Sequence, residues 1–286
     1  MKRIYMKRIY SYSGYWVRIL IVLSSLLAMT AFATVNQSGV SVKWGYKGNI
    51  GPERWGQLNP AFTLCASGKS QSPINIIKKV INTPNTLTIQ YESAPMAIVE
   101  DGATSLMIGN AQTIINDGHG VQLNFTNEKW KETIIFQGKE YHLIQFHMHS
   151  PSENEWHGQA FPMEIHFVHQ SDDGHVAVIG VFVKGGAANK ALQKIIDNFP
   201  KNKGVVHVIQ NERINPVDLI PAKHDYFNFL GSLTTPPCTE GLQWIVMPGT
   251  ITASPAQIVL FRKEAGGANA RPVQPLHKRV VYFSGS

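Results

Sequence analysis

Tyr141-His142-Leu143-Ile144-Gln145-Phe146-His147-Met148-His149 is the stretch on which the reading of this chain turns. Side chains alternate faces along a strand. On that period Tyr141, Leu143, Gln145, His147 and His149 share one face. His142, Ile144, Phe146 and Met148 share the other, which is mostly apolar and suits a core. Two imidazoles separated by one residue on a strand can converge on a single ion. A Pro- and Gly-containing connection then leads to Met163-Glu164-Ile165-His166-Phe167-Val168-His169. There Glu164, His166 and Val168 share a face, opposite Met163, Ile165, Phe167 and His169. If the two strands are neighbours, His166 completes a set of three. Three neutral histidines with one open position suit a catalytic rather than a structural zinc. His-x-His alone is weak evidence, because the chain has 11 histidines and a strand histidine is commonly surface or satisfied core. The Glu-x-His of the second strand strengthens the reading without deciding it.

Outward from these two strands, short β-rich runs recur at Leu87–Gln90, Ser105–Ile108, Val121–Phe125, Ile134–Phe136, Val176–Val183 and Gln243–Met247. Turn clusters such as Asn116-Asp117-Gly118 and Ser171-Asp172-Asp173-Gly174 separate them. The pattern predicts a mainly β chain. Helical spacing is sparse. Asn189–Asn198 carries Ala191, Leu192, Ile195 and Ile196 on one stripe. Ser254-Pro255 opens a second helix over Ala256–Lys263, with Ser as N-cap and Pro at the first helical position. There is no internal repeat, low-complexity tract or long linker.

The N-terminus has a different character. Lys2, Arg3, Lys7, Arg8 and Arg18 precede an apolar run from Ile19 to about Ala28, then Ala31-Phe32-Ala33. This three-part layout predicts a secretory signal peptide over residues 1–33, cleaved after Ala33. An uncleaved anchor is the alternative, and the run is short for a full span. Removing the five leader cations takes the formal charge from +7 to +2. The high pI is therefore a leader effect, no basic stripe interleaves with aromatics, and nucleic acid is not an expected partner. Residues 34–286 suit one large domain, or at most two small ones, and are ample for a substantial core. The two cysteines, Cys65 and Cys238, form an even pair that an oxidising compartment would close, with two free buried thiols as the alternative.

Beyond the histidine strands, further motifs follow in order. They are Trp44-Gly45-Tyr46, Gly51-Pro52-Glu53-Arg54-Trp55, Gln71-Ser72-Pro73-Ile74-Asn75-Ile76, Gly118-His119, Ser152-Glu153, Ser232-Leu233-Thr234-Thr235-Pro236-Pro237-Cys238-Thr239-Glu240, and Asn269-Ala270-Arg271-Pro272-Val273-Gln274-Pro275-Leu276. Together with the two histidine strands they resemble the α-class carbonic anhydrase family over nearly all of residues 34–286, in a bacterial-type exported form. The resemblance implies a single domain around a central, twisted, mixed sheet of about ten strands, large for an open sheet. A few short peripheral helices and a conical cleft go with it. It also implies cis bonds at Ser72-Pro73 and Pro236-Pro237 and a Cys65–Cys238 disulfide.

The activity it implies is reversible hydration of carbon dioxide to bicarbonate and a proton by a zinc-bound hydroxide. His147, His149 and His166 would hold Zn²⁺, with Gln145, Glu164 and the Asn269 carbonyl orienting the rings. Thr234 would donate to Glu153 and orient the hydroxide. Val168, Val178, Leu233, Leu242 and Trp244 would form the apolar substrate pocket, with Thr235 a polar contact at its floor. Tyr46, Asp117 and Gln122 would line the polar wall, with His119 as proton shuttle. Inhibitory anions and sulfonamides are further implied ligands. The protein would be periplasmic or secreted, free of the membrane after cleavage, and a homodimer is one assembly open to it. Two rival readings are a non-catalytic binding module, whose relatives lose a zinc-binding histidine, and a zinc esterase as a side activity. The chain departs from the family at Asn154, where His is common, at Phe229, where a Tyr belongs to an outer hydrogen-bond network, and at Asp117, where Asn is common.

Overall fold

The computed structural model describes residues 42–77, 81–97, 112–116, 119–125, 132–199 and 208–285. The expected leader, the run Ser105–Ile108 and Asp117 lie outside them. Six strands position the site: β1 (Val121–Phe125), β2 (Lys139–His149), β3 (Met163–Gln170), β4 (Val176–Gly185), β5 (Tyr226–Ser232) and β6 (Glu240–Ala253). They lie in the order β1-β2-β3-β4-β6-β5 within a large mixed sheet, which has thirteen strands among the described residues. The β1–β2, β2–β3, β3–β4 and β5–β6 pairs are antiparallel; β4–β6 is parallel. The chain is thus mainly β, as the strand pattern predicts, and the sheet is mixed, as the family resemblance implies.

Register carries the functional information. Gln122, His147, His166 and Gly180 lie directly opposite one another across β1 to β4. The parallel row formed by Gln145, Val168, Val178 and Trp244 crosses β2, β3, β4 and β6. Partners in register share a face, so both rows open on the same side. The intervening row, Leu123, Phe146, Phe167 and Ile179, faces the opposite core, where all four are 0% exposed. Each such fully buried apolar side chain contributes about 1.5–3 kcal/mol.

Strict alternation along β2 fails beyond Gln145. Val168 pairs with Gln145, but the next residue, His169, pairs with Leu143, so Ile144 is an extra residue on β2. A bulge of this kind reverses the faces beyond it. Tyr141 and Leu143 are therefore buried in the core with Phe146 and Met148, and His142 and Ile144 are half-buried instead. The sequence reading, which put Tyr141 and Leu143 with the histidines, is corrected there; Gln145, His147 and His149 keep their shared face. A second irregularity lies on β6, where Val181 pairs with Met247 and Phe182 with Thr250. Pro248 and Gly249 are skipped. Proline has no N–H for the ladder, yet the strand continues to Ala253, beyond the predicted end at Met247.

Both predicted helices form. α1 (Lys190–Asp197) is capped by the Asn189 side chain, which accepts from the backbone of Ala191 and Leu192. α2 (Pro255–Glu264) has Ser254 and Gln257 in a reciprocal capping box. Gln257 also reaches Asn189 and Gln193, joining the two helices. A separate aromatic cluster packs Trp55 with Trp44, Tyr46 and the Cys65–Cys238 disulfide, whose Cα atoms are 5.1 Å apart. Ser72-Pro73, Ser150-Pro151 and Pro236-Pro237 are cis; the first and third were expected. Among the described residues, no helix is long and apolar enough to cross a membrane.

Candidate metal centre

His147 and His149 project from β2, and His166 from β3, where it faces His147 in register. One ring nitrogen from each lies within 4.8 Å of the others. The remaining nitrogens each lie close to an oxygen. His147 Nδ1 lies 2.7 Å from Gln145 Oε1, and His149 Nδ1 lies 2.7 Å from the Asn269 carbonyl. His166 Nε2 faces Glu164 Oε1 at 3.2 Å. Carbonyl and carboxylate oxygens only accept. His147 Nδ1 and His149 Nδ1 therefore carry the hydrogen and their Nε2 atoms present lone pairs, whereas His166 Nε2 lies beside its carboxylate without an aligned hydrogen bond. The three inward nitrogens, Nε2 of His147 and His149 and Nδ1 of His166, make a donor set that fits a divalent ion such as zinc. Burial and the neighbouring His149 hold His166 well below the usual histidine range, which keeps a ring lone pair available.

Two buried carboxylates flank the triad. Glu153 Oε1 accepts from Arg271 N at 2.8 Å and Thr234 donates to the same carboxylate. Glu153 Oε2 lies 3.4 Å from His149 Nε2. Burial pushes Glu153 up to about 8, against hydrogen bonds from Arg271 and Thr234. Burial likewise pushes Glu164 up to about 7, against the amide of Asn154. A cation amid the imidazoles would favour the ionised form of both.

The triad sits at the floor of a cleft of about 150 Å³. One wall is apolar: Val168, Val178, Leu233, Leu242 and Trp244. The other is polar: Tyr46, His119 and Gln122, with Trp44 beside them. Thr234 and Thr235 lie between the walls. Thr234 is 6% exposed, in a turn closed by Leu233 N to Thr239 O and Cys238 N to Thr235 O. The His119 ring stacks on Trp44 with centroids 3.8 Å apart and planes 6° from parallel. Asn269 donates to the His119 carbonyl and to that of Met148, so one residue ties the polar wall to the end of β2.

The sequence profile of the eukaryotic-type carbonic anhydrase family matches residues 50–285. The chain belongs to this family. A carbonic anhydrase of Nostoc sp. is 38% identical over 270 residues, covering 91% of this chain and 95% of the relative. A carbonic anhydrase of Neisseria gonorrhoeae is 38% identical over 256 residues, covering 90% and 93%. An α-carbonic anhydrase of Thermovibrio ammonificans, solved with the inhibitor sulfanilamide, superposes with a TM-score of 0.74 at 37% identity, covering 84% of this chain and 99% of that one.

Within the carbonic anhydrase frame, two departures noted in the sequence have a structural account. Asn154 is fully buried and donates to Glu164 Oε1 at 2.8 Å. Phe229 is buried and lies parallel to Trp244, with planes 4° apart and centroids 6.1 Å apart, so this position packs a ring and offers no hydroxyl to an outer network. Sequence reasoning missed Arg271 as a site residue. Its guanidinium is buried and donates to Gln71 Oε1 and to the carbonyls of Ser72 and Cys65, while its backbone N–H holds Glu153. The residue stood in a quoted motif, but an arginine in sequence does not announce burial. Gly180 was missed too: a Cβ there would come 2.8 Å from Glu164 Oε1.

Proposed function

We propose that this chain is a zinc-dependent enzyme that hydrates carbon dioxide reversibly to bicarbonate and a proton. The single observation that carries the reading is the convergence of three imidazole nitrogens within 4.8 Å at the base of a cleft with one apolar and one polar wall. His147, His149 and His166 would hold the metal, with Gln145, the Asn269 carbonyl and Glu164 fixing the rings. When bound, Zn²⁺ supplies Lewis acidity that makes hydroxide available near neutral pH.

The chain's own groups do the rest. Thr234 spends its one proton on Glu153, so its oxygen must accept from the nucleophile. The nucleophile's proton is thereby turned to Thr234 and its lone pair to the substrate. Carbon dioxide, apolar overall, rests against Val168, Val178, Leu233, Leu242 and Trp244, with Thr235 as a polar contact. The proton released departs along Tyr46 and Gln122, with His119 as the group that carries it outward, and Asp117 is the sequence's further candidate for this path. Aromatic sulfonamides and small anions are expected to compete in the same cleft. All three histidines are present, which favours an enzyme over a binding module.

The organisation that goes with this function is a leader over residues 1–33 and a catalytic domain over 34–286, exported to the periplasm or beyond. The Cys65–Cys238 bond suits such an oxidising compartment. The test is carbon dioxide hydration by purified protein, before and after zinc removal by a chelator and after zinc is restored. Activity that chelation abolishes and zinc restores is expected. Chelator-insensitive activity, or none, would sink the proposal.

A further inference from the structure

We infer that Asn154 is a positioning residue of the metal centre: its side-chain amide fixes the Glu164 carboxylate that in turn fixes the His166 ring. This rests on the zinc reading above.

Asn154 is 0% exposed. Its Nδ2 donates to Glu164 Oε1 at 2.8 Å, and its backbone N–H donates to Oε2 at 2.8 Å, beside Glu153 N at 2.9 Å. Its Oδ1 accepts from Ile74 N at 3.1 Å. A carboxylate only accepts and a peptide N–H only donates. The amide therefore has one orientation, with its nitrogen to Glu164 and its oxygen to Ile74. The oxygen that receives the amide is the same Oε1 that faces His166 Nε2 at 3.2 Å.

The opposite side of that oxygen is equally confined. Gly180 is opposite His166 in register on β4, and a Cβ there would approach Oε1 to 2.8 Å. Oε1 thus sits between the Asn154 amide, the His166 imidazole and a bare Cα. The segment carrying Asn154 is itself pinned, since Ser152 Oγ donates to the Asn154 carbonyl at 2.7 Å and accepts from Phe161 N at 2.9 Å. The amide has little room to yield, and its position passes to the imidazole through one shared atom.

Asn154→Asp keeps the shape, removes the donor and sets a second charge against Glu164. Asn154→Ala removes the amide and adds no charge. Both are to be purified with zinc, and the rate of Zn²⁺ loss to a chelator measured below each variant's own melting temperature. The cobalt(II)-substituted forms report metal geometry through their visible spectra. Zinc loss is expected to rise roughly 10–100-fold, more for Asp than for Ala, with a changed cobalt spectrum. Wild-type release and spectrum in both variants would overturn the inference, even if they melt earlier, because Asn154 would then serve the fold alone. Failure of both to accumulate as folded protein would overturn it likewise. His166→Ala is the control: if it retains zinc like wild type, the metal reading itself is wrong, whatever Asn154 does.

Discussion

Thr234 has one hydroxyl proton, and Glu153 takes it. That division of roles predicts the outcome of Thr234→Val, which removes the hydroxyl at nearly constant volume. Zinc content should stay at the wild-type level, while kcat/KM for hydration falls roughly 100-fold, the usual cost of a misdirected reacting group. Metal analysis and stopped-flow hydration on the same sample check both halves. His119 makes a different prediction. On the function proposed above, His119 carries protons and is not itself one of the three ligands, so His119→Ala should slow maximal hydration in dilute buffer and keep its zinc. Added imidazole-type buffer should restore much of the rate. Unchanged turnover in dilute buffer would place proton transfer elsewhere. At this scale the histidines were legible because a strand repeats every two residues. Glu153 and Thr234 were legible through their motifs. Arg271 and Gly180 were not, because their roles depend on what a distant strand or loop brings against them.

The bulge at Ile144 is an event of elements, not residues. It requires a count of two residues on β2 against one step on β3, and no single strand's sequence records its partner's register. Its consequence is that Leu143, and not Ile144, lies opposite the buried His169. His169 Nδ1 lies 3.2 Å from the Ala177 carbonyl and Nε2 lies 2.5 Å from the Tyr91 hydroxyl. The carbonyl only accepts, so Nδ1 carries the hydrogen and Nε2 accepts from Tyr91. The ring is neutral, and burial lowers its pKa from 6.5 to about 3. The unfolded chain takes up this proton as pH falls through 6.5, and the folded chain resists until about 3. Stability is therefore fully present above 6.5 and is lost progressively below it. At pH 4.5 the loss from this one group is about 2–3 kcal/mol. His169→Phe should be less stable than wild type at pH 7, since Tyr91 loses its acceptor, but its stability should decline less between pH 7 and 4.5. Denaturant unfolding at the two pH values decides it; equal declines would show that His169 is not buried as neutral imidazole.

For the whole molecule, the disulfide spans 173 residues and joins the N-terminal aromatic cluster to the turn bearing Thr234. Closing a loop of that length constrains the unfolded chain by about 5 kcal/mol on the chain-entropy model. Replacing both cysteines by alanine should lower unfolding free energy by an amount of that order, and lower hydration activity as the Thr234 turn loses its anchor. Full activity and unchanged unfolding would refute the link. The sheet class was readable from its short alternating runs. The parallel meeting of β4 and β6 was not, since it depends on the path of all that lies between them. The Asn269 carbonyl has a further consequence. It holds a ring 120 residues earlier in the chain, and Arg271 holds Glu153 across 118. All three imidazoles have been synthesised once His166 is made, yet their geometry waits for the last stretch of polypeptide. A chain truncated before Asn269 keeps the ligands but lacks the carbonyl that fixes the His149 tautomer, and Glu153 keeps Thr234 but loses the Arg271 N–H. In chain order, the three histidines thus come well before the groups that hold His149 and bond Glu153 through a backbone N–H.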